Sequence, residues 1–311
     1  MENLWQIGQK INIEASRVRL CEPMRLHTTF RIGGPADLFV EVRSAEELSR
    51  CLAVLDREGL PWFILGGGAN ILVGDKGIRG AVLHLGGMDS LRPAEGGIWA
   101  EAGTSVDRLC MEFLARGLGG VENFYGMPGS LGGAVYMNAR CYDQDISSSI
   151  LGLVALSPRG EVRELAVDPK DGALWSYKRS PFQPSGPYAG WTVLSALMAG
   201  IPSDASRVAS IMRSRRQDRI SKGHYDFPSA GSMFKNDRSF GMPSGVLIDR
   251  LGLKGRRIGD AGVSVRHGNI FVNLGQATAT DMRSLISLVQ EKVLKAYGRS
   301  LEPEVLQIGE F

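Results

Sequence analysis

Short stretches of alternating hydrophobic and polar residues recur along this chain and predict a mixed α+β fold. Because side chains on a strand point to opposite faces in turn, such stretches are typical of half-buried strands. Strands are predicted at 38–42, 98–102, 151–156, 162–165, 193–199 and 270–273, and also at 62–65, where four apolar residues run directly into glycines. Helices are predicted near the N-terminus and at 109–116, 205–217, 245–253 and 279–298, with one more that runs from a capping box at Ser44 through Leu55.

These elements fall into blocks, because 311 residues exceed what one typical hydrophobic core uses. The first block, 1–88, has a βαβ character. The second, 89–201, combines a helix with a predicted antiparallel sheet. The third, 202–300, is α+β, and a short segment at 301–311 follows it.

Two glycine-rich loops are the most informative local features. The first, Gly66 to Asn70, follows the strand predicted at 62–65, and the second spans Gly126 to Gly133. Glycines let backbone approach a ligand, and N–H groups in such loops bind phosphate. The first loop lacks the GxGxxG spacing of the standard dinucleotide fingerprint. A plain hairpin and a tight helix–strand connection are the alternatives, but two such loops favour a dinucleotide-like ligand.

Composition narrows the class of protein. Hydrophobic content of 43% and charged content of 22% are ordinary for a globular protein, and the net charge is +3. No Lys/Arg block indicates nucleic-acid binding, and no apolar run is long enough for a membrane span. Four scattered cysteines and four scattered histidines lack metal-ligand spacing. We therefore expect a cytoplasmic protein without a metal site, and without a membrane or nucleic-acid partner.

Candidate chemistry lies in three short segments. Within 228–236, Ser232 follows a glycine and is better suited to donate a proton than to act as a nucleophile, although a plain surface turn is the alternative. Glu302 and Glu304 could face a pocket or solvent. The segment 177–180 carries two cations and a hydroxyl, which suit a carboxylate or phosphate ligand or a solvated basic turn.

In their order along the chain, these motifs resemble those of one family, the UDP-N-acetylenolpyruvoylglucosamine reductases (MurB). The resemblance extends from about His27 to Gly309. It is carried by Thr28-Thr-Phe-Arg-Ile-Gly-Gly34, Gly66-Gly-Gly-Ala-Asn-Ile-Leu72, Gly126-Met-Pro-Gly-Ser-Leu-Gly-Gly133, Gly231-Ser-Met-Phe-Lys-Asn236, Leu247-Ile-Asp249, Leu253-Lys-Gly255, Ala277-Thr-Ala279 and Leu301-Glu-Pro-Glu-Val305. Each motif is weak alone, whereas the ordered set is specific. The chain looks like the shorter subclass, which lacks a tyrosine-bearing insertion.

The resemblance implies a two-part FAD-binding unit of the vanillyl-alcohol-oxidase (PCMH) type, followed by an α+β substrate-binding domain. The FAD-binding subdomains would be 1–88 and 89–201, the substrate-binding domain 202–300, and 301–311 would return to the active site. FAD would be bound non-covalently, with NADPH as reductant. The implied FAD contacts are Arg31, Gly66, Gly67, Gly68, Ala69, Asn70, Gly126, Pro128, Gly129, Ser130, Gly132 and Gly133.

The implied reaction converts UDP-N-acetylglucosamine enolpyruvate to UDP-N-acetylmuramate in peptidoglycan precursor synthesis. The terminal alkene carbon receives hydride from flavin N5, and the adjacent carbon passes through an enolate before it is protonated. Ser232 matches the family's proton donor and Glu304 its catalytic glutamate. Positions that match substrate contacts are Tyr177, Asn236, Lys254 and His267. We expect a monomer.

Two departures from the family pattern stand out. Lys178 occupies the position of the catalytic arginine, so the charge is kept and the bidentate fork is lost. Arg179, one place on, would replace that arginine if the loop shifted, and is otherwise a substrate contact. Leu306 stands where the family commonly has an arginine near flavin, which predicts altered cofactor affinity or potential.

Two other functions compete with the reductase. A different flavin oxidase or dehydrogenase would keep both glycine loops but would have no reason to carry the segment around Ser232 or the C-terminal Glu-Pro-Glu. A non-catalytic paralogue that binds FAD or a sugar nucleotide is supported by Lys178 and Leu306. Retention of Ser232 and Glu304 favours the reductase.

Overall fold

The computed structural model describes residues 2–168 and 171–311, which form two compact units. The first unit comprises the residues up to Leu20, Leu38–Gly67 and Gly80–Arg216. The second comprises Cys21–Asp37, Gly68–Arg79 and Gln217–Phe311. The division of the chain into functional blocks at 88, 201 and 300 stays a prediction.

The helical predictions are confirmed, with boundaries that differ by a few residues, and a further short helix at Leu131–Tyr136 was not predicted. The helices are α1 (Glu2–Lys10), α2 (Ala45–Arg57), α3 (Val106–Ala115), α4 (Leu131–Tyr136), α5 (Ala205–Ser221), α6 (Ser244–Arg250) and α7 (Ala279–Tyr297). In the described part of the chain, none of them is long and apolar enough to cross a membrane.

The strands are short, as the brief alternating stretches predict. They are β1 (Val18–Pro23), β2 (Pro35–Glu41), β3 (Trp62–Leu65), β4 (Ile71–Val73), β5 (Ile78–His84), β6 (Leu91–Ala94), β7 (Gly97–Glu101), β8 (Leu118–Gly119), β9 (Arg140–Cys141), β10 (Gln144–Asp145), β11 (Ile150–Leu156), β12 (Val162–Ala166), β13 (Thr192–Ala199), β14 (Ile201–Pro202), β15 (Arg257–Ile258), β16 (Ala261–Val263), β17 (Phe271–Asn273) and β18 (Leu306–Ile308).

A five-stranded antiparallel sheet dominates the first unit, in the order β12-β11-β13-β7-β6. The predicted pairing of 151–156 with 162–165 is confirmed, since Leu153 lies opposite Leu165. The first block shows the predicted succession β2–α2–β3, although the parallel neighbour of β3 is β5. Both glycine loops follow elements that this unit's core holds in place.

The predicted capping box at the start of α2 is only half formed. The Ser44 hydroxyl accepts a hydrogen bond from the backbone N–H of Glu47, as a capping residue does. The Glu47 carboxylate, however, accepts from the Arg43 N–H and forms a bidentate pair with Arg17. The guanidinium of Arg17 therefore competes for the carboxylate that a closed box would use.

The second unit contains the antiparallel sheet β15-β16-β17, and β18 pairs in parallel with β4. Buried residues of α6 and α7 share one apolar core with Phe234 and Phe271, whose rings meet edge to face. Helix α6 ends at Arg250, earlier than the predicted 253, because Gly252 takes a φ of +66° and turns the chain. This core carries the segment that contains Ser232.

Candidate functional site

The two glycine loops meet in the first unit, although they were predicted separately. The N–H of Gly67 donates to the hydroxyl of Ser130 at 3.2 Å. A Cβ at Gly67 would lie 2.7 Å from the Cα of Gly129, and one at Gly66 would collide with the Ser130 hydroxyl. The loops therefore need glycine at these positions to pack backbone against backbone.

The second loop ends as the first turn of α4. Ser130 is the N-cap of this helix, and its hydroxyl also accepts from the N–H of Gly133 at 3.4 Å. The loop thus enters a helix, so the alternative of a helix–strand connection is wrong. A serine hydroxyl that accepts two hydrogen bonds still has its proton to donate, so Ser130 could also donate to a ligand.

The surroundings of the second loop leave room for a ligand at one position. Gly133 is exposed, and a Cβ there would meet nothing closer than the Ser130 hydroxyl at 3.6 Å. Gly132 differs, because a Cβ there would press on Ala102 at 2.9 Å. Backbone N–H groups at a helix start favour anions, so the open space beside Gly133 fits a phosphate-bearing cofactor such as FAD.

The entrance of the second loop is fixed by its own contacts. Gly126 has a φ of +81°, and its N–H donates to the Asp107 carboxylate at 2.6 Å. Pro128 presets the backbone before Gly129, whose φ is +118°. The carbonyl of Gly129 then accepts from the N–H of Val106, which starts α3. The predicted cofactor residues of this loop thus lie on a rigid connection.

The end of the first loop, with Gly68, Ala69 and Asn70, belongs to the second unit. A Cβ at Gly68 would collide with the carbonyl of His27, and its φ is +61°. The Gly68 carbonyl accepts from the Thr29 N–H at 3.0 Å. Arg31 lies nearby in sequence, exposed and with a φ of +54°. The family motif that begins at Thr28 is therefore joined to this loop.

The C-terminal segment is joined to the same loop through Asn70. Its side-chain amide donates to the Glu304 carbonyl at 3.1 Å, and its own carbonyl accepts from the Leu306 N–H at 3.0 Å. The Leu306 side chain is 37% exposed. Leu306, which replaces the family arginine, thus starts β18 and is hydrogen-bonded through its backbone to Asn70, a predicted cofactor residue.

Ser232 and Glu304 lie on adjacent backbone segments. The carbonyl of Met233, the residue after Ser232, accepts from the Glu304 N–H at 2.8 Å. Glu304 is only 9% exposed, whereas Glu302 is exposed and pairs with Lys235 at 2.6 Å. The residue pattern alone leaves these two carboxylates open, whereas the family resemblance favours Glu304, and Glu304 is the buried one. The two predicted catalytic residues of this unit are therefore brought together.

The other predicted substrate residues of the second unit have defined partners. The Asn236 side chain accepts from the Ser244 N–H at 2.9 Å, which ties it to the start of α6. Lys254 forms an ion pair with Asp249 at 2.9 Å. The His267 ring accepts from the Asn269 N–H through Nδ1 at 3.1 Å. His267 therefore makes a structural contact beside the Ser232 segment.

His267 lies beside a second half-buried histidine. Its ring centroid is 6.0 Å from that of His224. Burial, with the charge of Arg219 and the neighbouring ring, lowers the pKa of His224 to about 4. Burial, with the charge of Lys222, also lowers the pKa of His267. Both rings are therefore neutral at neutral pH, which leaves Nδ1 of His267 able to accept a hydrogen bond.

Lys178 lies on a tight turn of the first unit. Ser176 and Arg179 exchange backbone hydrogen bonds, so Tyr177 and Lys178 are the two central residues. Lys178 takes a φ of +58°, and its ammonium lies 5.9 Å from the Tyr177 ring centroid. Lys178 is half-buried, whereas Arg179 is exposed. The two cations therefore have different surroundings, because adjacent side chains on this turn point in different directions.

Sequence reasoning missed the residues that fix this turn. The buried Ser180 hydroxyl donates to the Tyr136 carbonyl at 2.7 Å, and Gln183 donates to the carbonyls of Tyr136 and Lys178. Asn138 donates to the Ser176 carbonyl at 2.9 Å. The turn is therefore fastened to the end of α4, the helix that begins at Ser130. In the sequence, only the serine of the Tyr-x-x-Ser motif gave a sign of these contacts.

Comparison with known families matches both parts of the chain. The family model described as UDP-N-acetylenolpyruvoylglucosamine reductase, C-terminal domain, matches residues 223–308. The model described as FAD binding domain matches residues 36–166. The first match contains Ser232 and Glu304, and the second contains both glycine loops.

Relatives are similar over nearly the whole chain. The UDP-N-acetylenolpyruvoylglucosamine reductase of Treponema denticola is 38% identical, with 100% of each chain covered. The enzyme of that name from Agathobacter rectalis is 39% identical, with 93% of each covered. These levels of identity and coverage show the family.

Solved structures show the same relationship at the level of fold. The crystal structure of UDP-N-acetylenolpyruvylglucosamine reductase (MurB) from Thermus caldophilus is similar with a TM-score of 0.77 and 32% identity, covering 94% of this chain and 98% of that one. A 4-ethylphenol oxidase from Gulosibacter chungangensis has a TM-score of 0.50 at 19% identity, covering 65% of this chain and 43% of that one, so it shares the fold alone. The predicted FAD-binding fold of the vanillyl-alcohol-oxidase type is confirmed. The chain belongs to the UDP-N-acetylenolpyruvoylglucosamine reductase (MurB) family.

Proposed function

We propose that this chain reduces UDP-N-acetylglucosamine enolpyruvate to UDP-N-acetylmuramate with NADPH as reductant and FAD as bound cofactor. The observation that carries the proposal is the pairing of the Ser232 segment with the segment of the buried Glu304 in the family's C-terminal domain. A serine and a buried carboxylate on paired backbone suit a reaction that protonates an enolate. The proposal places this step in peptidoglycan precursor synthesis.

FAD, when bound, accepts hydride from NADPH and passes hydride to the alkene of the substrate. The residues proposed to hold it are those of the two glycine loops, together with Arg31. Support comes from the open space beside Gly133 and from the hydroxyl of Ser130, which joins the loops and keeps a proton to donate. We propose 1–88 and 89–201 as the FAD-binding subdomains and 202–300, with 301–311, as the substrate-binding part.

Ser232 is proposed to donate the proton to the carbon next to the substrate carboxylate. A serine hydroxyl is a weak acid, so it can act only if its neighbours stabilise the alkoxide or return a proton to it. Glu304 is proposed as the neighbour that, as the protonated acid, donates a hydrogen bond near the enolate carboxylate. Its burial supports this role, because a hydrogen bond from a carboxylic acid to negative charge is stronger away from water.

Lys178 is proposed to stabilise the negative charge of the enolate. Its half-buried position supports it over the exposed Arg179, which is proposed as a substrate contact with Tyr177, Asn236, Lys254 and His267. A lysine supplies the charge without the planar fork of arginine. A positive charge is what stabilises an enolate, and lysine supplies that charge. Lysine orients the substrate less well than arginine does.

The proposal also includes a monomer that acts in the cytoplasm, without a metal, membrane or nucleic-acid partner. Its test is steady-state oxidation of NADPH by protein reconstituted with FAD, with and without the enolpyruvyl sugar nucleotide. We expect oxidation that depends on substrate and a product heavier by two hydrogens. If FAD binds but the rate of NADPH oxidation does not depend on this substrate, the protein is a different flavin enzyme. Failure to bind FAD would support a non-catalytic paralogue.

A further inference from the structure

Asn269 is a buried residue with no role in the chemistry derived so far. It is 2% exposed and lies against the segment that carries Ser232. Its backbone carbonyl accepts from the Met233 N–H at 2.8 Å. Its side-chain oxygen accepts from the Phe234 N–H at 2.9 Å, and its side-chain nitrogen donates to the Phe234 carbonyl at 2.8 Å. One asparagine thus satisfies both backbone groups of Phe234.

The side chain of Asn269 takes the place of a neighbouring strand. A carboxamide offers the same donor and acceptor as a peptide unit, so it can pair with backbone as a strand does. The next residue, Ile270, forms a backbone bridge with Ser232 itself. Along the other edge of the segment, the Met233 carbonyl accepts from Glu304. The segment is therefore held on both edges, and on one of them Asn269 holds the two residues that follow Ser232.

Asn269 is itself fixed by the loop that precedes it. Its N–H donates to Nδ1 of His267, and the N–H of Ile270 donates to the His267 carbonyl at 3.0 Å. A Cβ at Gly268 would collide with the carbonyl of Gly245 in α6, so the loop rests directly on this helix. The amide is thus presented to Phe234 from a rigid support, as a positioning group requires.

We propose that Asn269 is a positioning residue for Ser232: its side-chain amide fixes the backbone from which the Ser232 hydroxyl reaches the substrate. The proposal rests on the proposed function, in which Ser232 donates the proton. Proton transfer requires contact at hydrogen-bond distance, so a small displacement of this backbone slows the step. A residue whose side chain bonds to the backbone of Phe234 then controls the rate of protonation.

The test measures the two half-reactions of the FAD-loaded enzyme separately, without oxygen. In Asn269→Ala, we expect reoxidation of reduced flavin by substrate to slow by roughly 10- to 100-fold, the range for a displaced catalytic group. Reduction by NADPH and the dissociation constant of the substrate should be unchanged. Equal slowing of both half-reactions would overturn the proposal.

A double-mutant cycle distinguishes positioning from general damage. If Asn269 acts through Ser232, adding Asn269→Ala to Ser232→Ala should slow reoxidation no further, because the positioned group is already gone. If the double variant is instead slower than Ser232→Ala by the full factor that Asn269→Ala shows alone, the proposal is overturned. Thr278→Ala is the matched control, since it removes the N-cap of α7 in the same unit. It should lower thermal stability without slowing reoxidation selectively.

Asn269→Asp gives a second readout that does not depend on the alanine variant folding. Its carboxylate can accept from the Phe234 N–H but repels the Phe234 carbonyl, whereas the protonated acid can donate to that carbonyl. Its reoxidation rate relative to wild type should therefore recover as pH falls. A ratio that is flat with pH would overturn the proposal. Wild-type flavin that NADPH reduces but substrate does not reoxidise would overturn the proposed function first.

Discussion

The Ser232 segment and the Lys178 turn are both proposed to act on the substrate, yet they are built in opposite ways. Ser232 lies on backbone that is paired on both edges, over a core that includes the buried Phe234 and Phe271. Lys178 lies at the tip of a two-residue turn, with a φ of +58° and the 40% exposed Tyr177 beside it. The turn is fastened at its base by Ser180 and Gln183.

This difference corresponds to the role proposed for each residue. Proton transfer requires the donor at hydrogen-bond distance, so the serine needs rigid backbone. The interaction of a cation with negative charge falls gradually with distance, so the lysine can act from a less constrained position. The turn can therefore accept lysine in place of the family's arginine, whereas the Ser232 segment has less tolerance for change.

The largest predicted effect removes the hydroxyl of Ser232. Ser232→Ala should slow reoxidation of flavin by substrate by roughly 10²- to 10⁴-fold, the range for loss of a general acid. Reduction of flavin by NADPH should keep its wild-type rate, because no proton passes from Ser232 in that half. Single-turnover absorbance of the flavin measures both. Equal slowing of the two halves would remove Ser232 from the role of proton donor.

Loss of the Lys178 charge should have the next largest effect. Lys178→Met should slow reoxidation by roughly 10²-fold, as removal of one stabilising group at a developing anion does. Arg179→Met is the matched variant, because it removes a neighbouring cation that is exposed. It should weaken substrate binding and leave the reoxidation rate at saturating substrate close to wild type. The reverse pattern would assign the family arginine's role to Arg179.

Acid should weaken the second unit, which carries the Ser232 segment. Burial lowers the pKa of His224 from its ordinary 6.5 to about 4, so the unfolded chain takes up the proton first as pH falls. Relative to its value above about pH 6.5, the free energy of unfolding therefore falls as the pH drops towards 4, by an amount on the order of 3 kcal/mol.

Urea unfolding at pH 7 and at pH 5 measures this loss of stability. His224→Gln should flatten the dependence over that interval, because glutamine does not titrate. An equally steep loss in the glutamine variant would assign the acid sensitivity to other groups.

Restoration of the family residue at the turn should have the smallest effect. Lys178→Arg should leave the reoxidation rate unchanged or raise it a few-fold, since arginine keeps the charge and adds the planar fork. Steady-state kinetics with saturating NADPH would detect the change. A large loss would show that the turn has been rebuilt around lysine, and would contradict the tolerance that we assign to it.

Sequence predicted the local elements and the loops that carry the site, because those depend on short-range pattern and on glycine. The strand predicted at 62–65 is present, and the glycine loop follows it directly. The contact between the two glycine loops could not be predicted from the sequence, because it depends on how distant segments pack. Asn269 was missed for the same reason, because its side chain pairs with backbone far away in sequence. The burial of Glu304, unlike Glu302, was also decided by packing.

The most direct test of the account is a two-step mixing experiment on the purified protein with bound FAD, without oxygen. NADPH is added first, and the enolpyruvyl sugar nucleotide follows. The account predicts that NADPH bleaches the visible flavin absorbance and that the substrate then restores it rapidly, with Lys178 in place. Bleaching that the substrate does not reverse would contradict the reductase assignment and indicate a flavin enzyme with another substrate.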